Sequence, residues 1–177
     1  RNDGDSFSIA EATCHGGKEL SYNNILDAAA AIDCCRGLEG TAAVIVKHCL
    51  PCGAAEANSL DEAFDAALAG DPVSAFGGIL ALSEPLTVDL ARRISTPDHF
   101  FEVIHAPGFE EGSIEALQKG AKWGSSCRIL EGGFFADQAA LPIEARAVPG
   151  AMLLQTRDIP TRTREDYEVR SEEHTSE

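Results

Sequence analysis

Apolar positions in this chain fall into two alternating patterns: short runs rich in Val, Ile and Leu, and longer stretches in which apolar residues recur every three or four positions. The clearest run, Ala42-Ala43-Val44-Ile45-Val46, is too short for a globular helix and β-branched at its centre, which predicts a strand buried on both faces. It stops at Lys47 and His48. Pro51 and Gly53 follow, and they predict that the chain turns away there. Upstream, Asn23 or Asn24 is suited to cap a helix over Ile25 to Arg36, closed by Gly37 and Gly40. Downstream, Ser59-Leu60-Asp61-Glu62 has the form of a capping box. It predicts a helix through Ala69, with Leu60, Ala63, Phe64, Ala67 and Leu68 on one stripe and Gly70-Asp71-Pro72 as its stop.

The alternation continues. Gly77-Gly78 precede an apolar strand to Leu82, a short helix runs from Thr87 to Ile94, and Phe100 to Ala106 form a strand ended by Pro107-Gly108. Ser113 to Lys119 are a short helix, and strands at Arg128 to Leu130 and Ala151 to Gln155 flank an excursion containing Gly and Pro. Such alternation predicts an α/β fold, a layered and mainly parallel sheet with flanking helices. The domain is expected over residues 1–160, and 161–177 as a charged tail without apolar pattern. Within it, Arg170-Ser171-Glu172-Glu173-His174-Thr175-Ser176-Glu177 look like a translated sequencing-adapter peptide, so residues 170–177 are expected to be non-native and disordered.

Charge narrows the partners. The 177 residues include 14 Lys and Arg against 29 Asp and Glu, a formal net charge of −15, which argues against nucleic acid or an anionic membrane surface. No apolar run approaches the roughly 20 residues that span a bilayer. The polar start, Arg1-Asn2-Asp3-Gly4-Asp5, is not signal-like. Cysteines at 14, 34, 35, 49, 52 and 127 lack the spacing of a disulfide framework and are expected to be reduced thiols of a cytoplasmic protein.

The candidate chemistry centres on Lys47 and His48, because in open α/β sheets ligands collect beyond the carboxyl ends of strands. The dipeptide alone has little specificity: a solvated lysine beside a hydrogen-bonded histidine satisfies the same pattern. Cys49-Leu50-Pro51-Cys52 beside His48 suggests zinc or redox chemistry. A structural zinc needs four ligands, however, and His99 and His105 are isolated in sequence. Zinc nucleoside deaminases combine H-x-E with P-C-x-x-C, whereas here Pro51-Cys52 is followed by Gly53-Ala54-Ala55. No metal is expected. A thioredoxin-like pair stays open, although a strand-end Lys-His is no part of that pattern. Gly77-Gly78 lies outside any G-x-G-x-x-G or Walker sequence, and Asp61-Glu62 and Glu110-Glu111 suit solvated charges.

Several motifs in register add to this. Lys18-Glu19-Leu20-Ser21-Tyr22-Asn23-Asn24-Ile25 comes first, then Val44-Ile45-Val46-Lys47-His48 with Pro51-Cys52-Gly53. Asp71-Pro72 with Ser74-Ala75-Phe76-Gly77-Gly78-Ile79 follows, then Phe101-Glu102-Val103-Ile104 with Ala106-Pro107-Gly108, and Leu153-Leu154-Gln155 with Arg157-Asp158. In order and spacing they resemble the AICAR transformylase part of the bifunctional AICAR transformylase/IMP cyclohydrolase family, over residues 16–160. The resemblance implies a cytidine-deaminase-like fold, of which this chain is the first half, without the cyclohydrolase domain. The implied reaction moves a formyl group from the co-substrate 10-formyltetrahydrofolate to AICAR in purine biosynthesis.

Lys47 and His48 match the family's catalytic pair, and Asn24, Phe76, Gly77 and Glu102 match positions lining the AICAR site. A homodimer is implied for the full-length enzyme. The sequence departs from the family at Cys49, where a small Ala is usual, at Leu50, where Asn is common, and at His105, where an apolar Ile is usual. With few arginines and no basic cluster, the chain is expected to lack the cations that hold the AICAR phosphate and the folate glutamate, and so to be inactive alone. The alternatives are a folded, inert interaction module and a zinc-dependent nucleoside deaminase.

Overall fold

The computed structural model describes residues 9–133 and 143–156. The expected tail over 161–177, its adapter-like end at 170–177, and Arg157-Asp158 lie outside the described residues. The chain divides into two compact units, Arg1–Ala136 and Asp137–Glu177.

In the first unit, strands β1 (Thr13–Cys14), β2 (Thr41–Lys47), β3 (Leu50–Ala57), β4 (Gly78–Leu82), β5 (Phe101–Ala106) and β6 (Arg128–Glu131) form one sheet. Its spatial order is β1-β6-β5-β4-β2-β3. The helices are α1 (Tyr22–Gly37), α2 (Leu60–Gly70), α3 (Pro72–Ala75), α4 (Val88–Ile94) and α5 (Ser113–Gly120). Ala42 to Val46 are all buried, as their composition predicts, and they alternate between two apolar clusters. Ala42, Val44 and Val46 pack with Ala28, Ala31, Ile32 and Cys35 of α1. Ala43 and Ile45 share the other cluster with Phe64 of α2, Leu90 of α4 and Leu117 of α5. The small residues on the α1 stripe let that helix lie close to the sheet.

The sheet is mixed rather than mainly parallel. The pairings β1–β6, β2–β3 and β2–β4 are antiparallel, and β4–β5 and β5–β6 are parallel. The reason is connection length: β2 and β3 are joined by two residues, which permits only an antiparallel hairpin, whereas α4 and α5 supply the longer crossovers that parallel neighbours need.

Pro51 and Gly53, expected in a turn, lie inside β3. Pro51 is tolerated because β3 is an edge strand. Gly53 is needed because a Cβ there would stand 1.9 Å from the Ala67 carbonyl oxygen of α2. The turn itself comes earlier, at His48-Cys49.

Helix α1 also starts earlier than expected. Ser21 is its N-cap: its Oγ accepts the Asn24 N–H at 3.1 Å, and Asn24 Oδ1 accepts the Ser21 N–H at 3.1 Å. Asn24 therefore serves as the third residue of a capping box rather than as the cap. Ser59 caps α2 by accepting the Glu62 N–H at 3.3 Å, as its sequence predicts. In the second unit β7 (Ile143–Val148) and β8 (Ala151–Thr156) form a hairpin, so the end of the expected excursion is strand. Gly150 closes that hairpin at φ 76°.

Candidate active site

Lys47 is the last residue of β2. Because β2 runs antiparallel to β4, its carboxyl end lies beside the amino ends of β4 and β5, as the registers Val46↔Ile79 and Gly78↔Phe101 require. The six residues singled out from sequence come from the end of β2 and the turn after it, the segment between α3 and β4, the start of β5 and the first turn of α1. The carboxyl-end rule for open sheets thus applies to β2, while for the parallel strands the candidate site lies at the amino edge.

Two pairs of these residues are in direct contact. Lys47 Nζ donates to the Phe76 carbonyl oxygen at 2.8 Å, which leaves two of the ammonium's three donors for other partners. The Phe76 ring is 54% exposed and lies edge-on to Phe100, centroids 5.3 Å apart. Gly77 follows at φ 78°, a conformation that favours glycine, and its N–H donates to the Phe100 carbonyl at 2.7 Å. Gly78 has a different reason: a Cβ there would approach the Ala75 and Val46 carbonyl oxygens at 3.0 and 3.1 Å. The Ser74 hydroxyl and backbone N–H hold the nearby Asp71 carboxyl below its ordinary range, with a smaller contribution from Lys47.

The second pair is Asn24 and Glu102. Asn24 is buried, and its Nδ2 donates to Glu102 Oε2 at 2.9 Å while its Oδ1 accepts from Ser21. Arg128, whose side chain is 12% exposed, brings Nη1 to 3.7 Å from the same Glu102 oxygen. Its Nε and Nη2 donate to the Glu19 carbonyl at 3.1 and 3.0 Å, tying the segment before α1 to the start of β6. Glu102 Oε1 makes no hydrogen bond to another described residue and its side chain is 43% exposed, so that oxygen is available to an external donor. Asn24 spends its polar groups within the protein and acts on the site through Glu102.

His48 is exposed, and its ring makes no hydrogen bond, ion pair or ring contact with another described residue, which leaves the imidazole open to solvent. Its backbone is left-handed at φ 55°, as is that of Cys49 at φ 61°. Asp27 of α1 accepts the Cys49 N–H at 2.8 Å and the Cys49 thiol at 3.3 Å. Sequence reasoning overlooks both Asp27 and Arg128. A charged first residue on an apolar strand, Arg128 before Ile129-Leu130, was the available signal for the second; Asp27 on a helix face offers none.

Cys52 shows no redox activation. Burial pushes the Cys52 thiol up, Asp71 adds to this, and Lys47 opposes it. Redox cysteines need the reverse shift. All six cysteines are free, and among the described residues no group of three or more His, Cys, Asp or Glu is arranged to hold a metal ion.

These features define a layered, mixed α/β domain that presents a Lys-His pair at a sheet edge. The chain belongs to the AICARFT/IMPCHase bienzyme family, whose model matches residues 1–177. It is 40% identical to the bifunctional purine biosynthesis protein PurH of Rhodopirellula baltica, over 86% of this chain and 29% of that protein. To the protein of the same description from Rhodospirillum rubrum it is 45% identical, over 85% of this chain and 27% of the relative. For Lactobacillus delbrueckii subsp. bulgaricus the identity is 39%, over 94% and 32%. The chain thus spans about a third or less of the length of these curated relatives.

Proposed function

We propose that residues 1–160 are the first half of the transformylase region of an AICAR formyltransferase, with a cytidine-deaminase-like arrangement, acting in purine biosynthesis. The observation that carries this reading is the Lys47-His48 pair at the end of β2, with Lys47 anchored on the Phe76 carbonyl, on the same sheet edge as Glu102.

The reaction needs three things from the protein. The AICAR amine is a poor nucleophile, since its lone pair is delocalised into the ring. His48 takes the proton that this nitrogen loses as it bonds to the formyl carbon of 10-formyltetrahydrofolate. Lys47, with two ammonium donors unspent, faces the formyl oxygen as it becomes negative. Collapse of the tetrahedral centre breaks the bond to N10 of the folate, which leaves with the proton that His48 had taken, and the base is restored. Glu102 Oε1 accepts an N–H of the carboxamide, while Phe76 and Gly77 form the adjoining wall.

The cations for the AICAR phosphate and the folate glutamate come from other segments or from a second subunit of a homodimer in the cytoplasm. Formyl transfer by this chain alone is therefore expected to be undetectable, and measurable turnover by the purified chain would overturn that. A thermal-shift titration with AICAR tests the site itself. The midpoint is expected to rise with ligand through linkage, and to rise less in His48→Ala. A flat response from both proteins counts against the reading.

A further inference from the structure

Lys47 and His48 are neighbours in sequence but are held by different parts of the molecule. Lys47 is fixed from the segment after α3, through the Phe76 carbonyl. The turn that carries His48 is fixed from α1, where the partly buried Asp27 accepts the Cys49 backbone N–H at 2.8 Å and the Cys49 thiol at 3.3 Å.

This turn needs a tie. A two-residue hairpin with positive φ at both central positions is normally filled by Asn-Gly, Asp-Gly or Gly-Gly. Here His48 and Cys49 occupy it at φ 55° and 61°, and neither is glycine. For L-residues with a Cβ that conformation is unfavourable, so without support the turn relaxes toward a wider loop. The N–H of the second central residue has no partner inside such a turn, whose own bond joins the first and fourth residues. Asp27 supplies that partner from a helix whose Ala28, Ala31 and Ile32 are fully buried against the sheet, so the anchor is rigid.

We propose that Asp27 is a positioning residue for His48: through the Cys49 N–H it locks the left-handed turn and sets the imidazole in place beside Lys47. Its functional consequence rests on His48 being the base proposed above. The positioning itself does not.

The test uses the full chain and four proteins: wild type, Asp27→Ala, Asp27→Asn, and Asp27→Ala combined with Cys49→Gly. Nuclear magnetic resonance reads exchange of the Cys49 amide and the signals of the His48 ring, and calorimetric titration reads AICAR affinity. In Asp27→Ala the Cys49 amide is expected to exchange roughly ten-fold faster, as loss of one hydrogen bond predicts. The His48 ring signals should move, and affinity should fall by a similar factor. Asp27→Asn keeps an oxygen acceptor and should retain most of each property. The double variant is the decisive one. Glycine at 49 removes the cost of the left-handed conformation, so the ring signals and affinity should recover although Asp27 is still absent, a recovery that a general loss of stability would not produce.

His48 signals unchanged in Asp27→Ala, or unrestored by Cys49→Gly, would overturn the proposal. If Asp27→Ala does not fold, Asp27→Asn and the double variant carry the same comparison. If the wild-type chain binds no AICAR, the functional reading fails for this chain, while the Cys49 exchange and His48 ring signals still decide the positioning role.

Discussion

The two ends of the six-stranded sheet each carry a histidine, and the two are placed in opposite ways. Where β2 stops, His48 stands exposed in a left-handed turn, next to a lysine with spare donors and on the same edge as a carboxylate with one open oxygen. Near the other end, His105 of β5 is fully buried, and burial pushes its imidazole down to about 4, against a smaller opposing effect of hydrogen bonding to the Gly132 and Gly133 backbone. The loops around that end are closed by the protein itself. Leu86 N–H donates to the Gly108 carbonyl and Glu110 N–H to the Leu86 carbonyl, both at 3.0 Å, and Gly132 N–H donates to the Ala106 carbonyl at 3.2 Å. Residue type alone therefore assigns no role. A buried imidazole held neutral cannot exchange protons with a substrate near neutral pH, whereas an exposed one at a strand end can.

The strongest way to break this contrast is to titrate the buried end. The folded-state value of His105, about 4, lies below its unfolded value of 6.5, so above pH 6.5 both states are neutral and the residue contributes nothing to the pH dependence. As pH falls from 6.5 to 4, the unfolded chain binds a proton that the folded chain refuses, and stability drops by about 3 kcal/mol in all. Below that range both states are protonated and the loss levels off. Urea unfolding of the wild type and His105→Leu at a series of pH values isolates the effect, because carboxylate titrations are common to both. The difference between the two curves is expected to grow by about 3 kcal/mol across that range. Parallel curves would mean that His105 is accessible to protons, and the distinction between the two ends would disappear.

A smaller effect is expected at the open end, at the one candidate residue that is buried there. Asn24→Ala removes the reciprocal half of the α1 capping box and the hydrogen bond to the Glu102 carboxylate, which together cost about 2 kcal/mol. Urea unfolding at neutral pH measures it. A cost below about 0.5 kcal/mol, the range of ordinary surface changes, would show that the Asn24–Glu102–Arg128 group contributes nothing to stability and is not a fixed part of the edge.

Legibility in the sequence follows the range of the interactions involved. The strand β2 and helix α2 are legible because their signals are local: a β-branched run in one case, a capping residue and a three-four spacing in the other. The strand β3 is not, because Pro51 and Gly53 oppose it locally and are made tolerable only by an edge position and by the approach of α2. The direction of the sheet is not legible because alternating elements suggest parallel strands, and a turn of two non-glycine residues leaves no hairpin signal. At the site, Lys47-His48 is visible as a strand end. Its supports are not: the Asn24–Glu102 bond joins residues 78 apart in sequence, and Asp27 reaches the turn across 22. Such contacts exist only once the fold has formed.

The smallest expected change is the most informative about the open end. His48 is exposed and its ring makes no contact that packing would miss, so His48→Ala should alter stability by no more than about 0.5 kcal/mol. Alanine meets the same left-handed backbone and neither relieves nor adds much strain there. The same variant should nevertheless show a smaller ligand-dependent rise of the unfolding midpoint, measured in parallel scans with and without AICAR. A residue whose removal leaves the fold intact but weakens the ligand response is there for the ligand. If His48→Ala instead destabilises the chain by 1 kcal/mol or more, the histidine serves the turn, and the open end of the sheet is held together in the same way as the closed one.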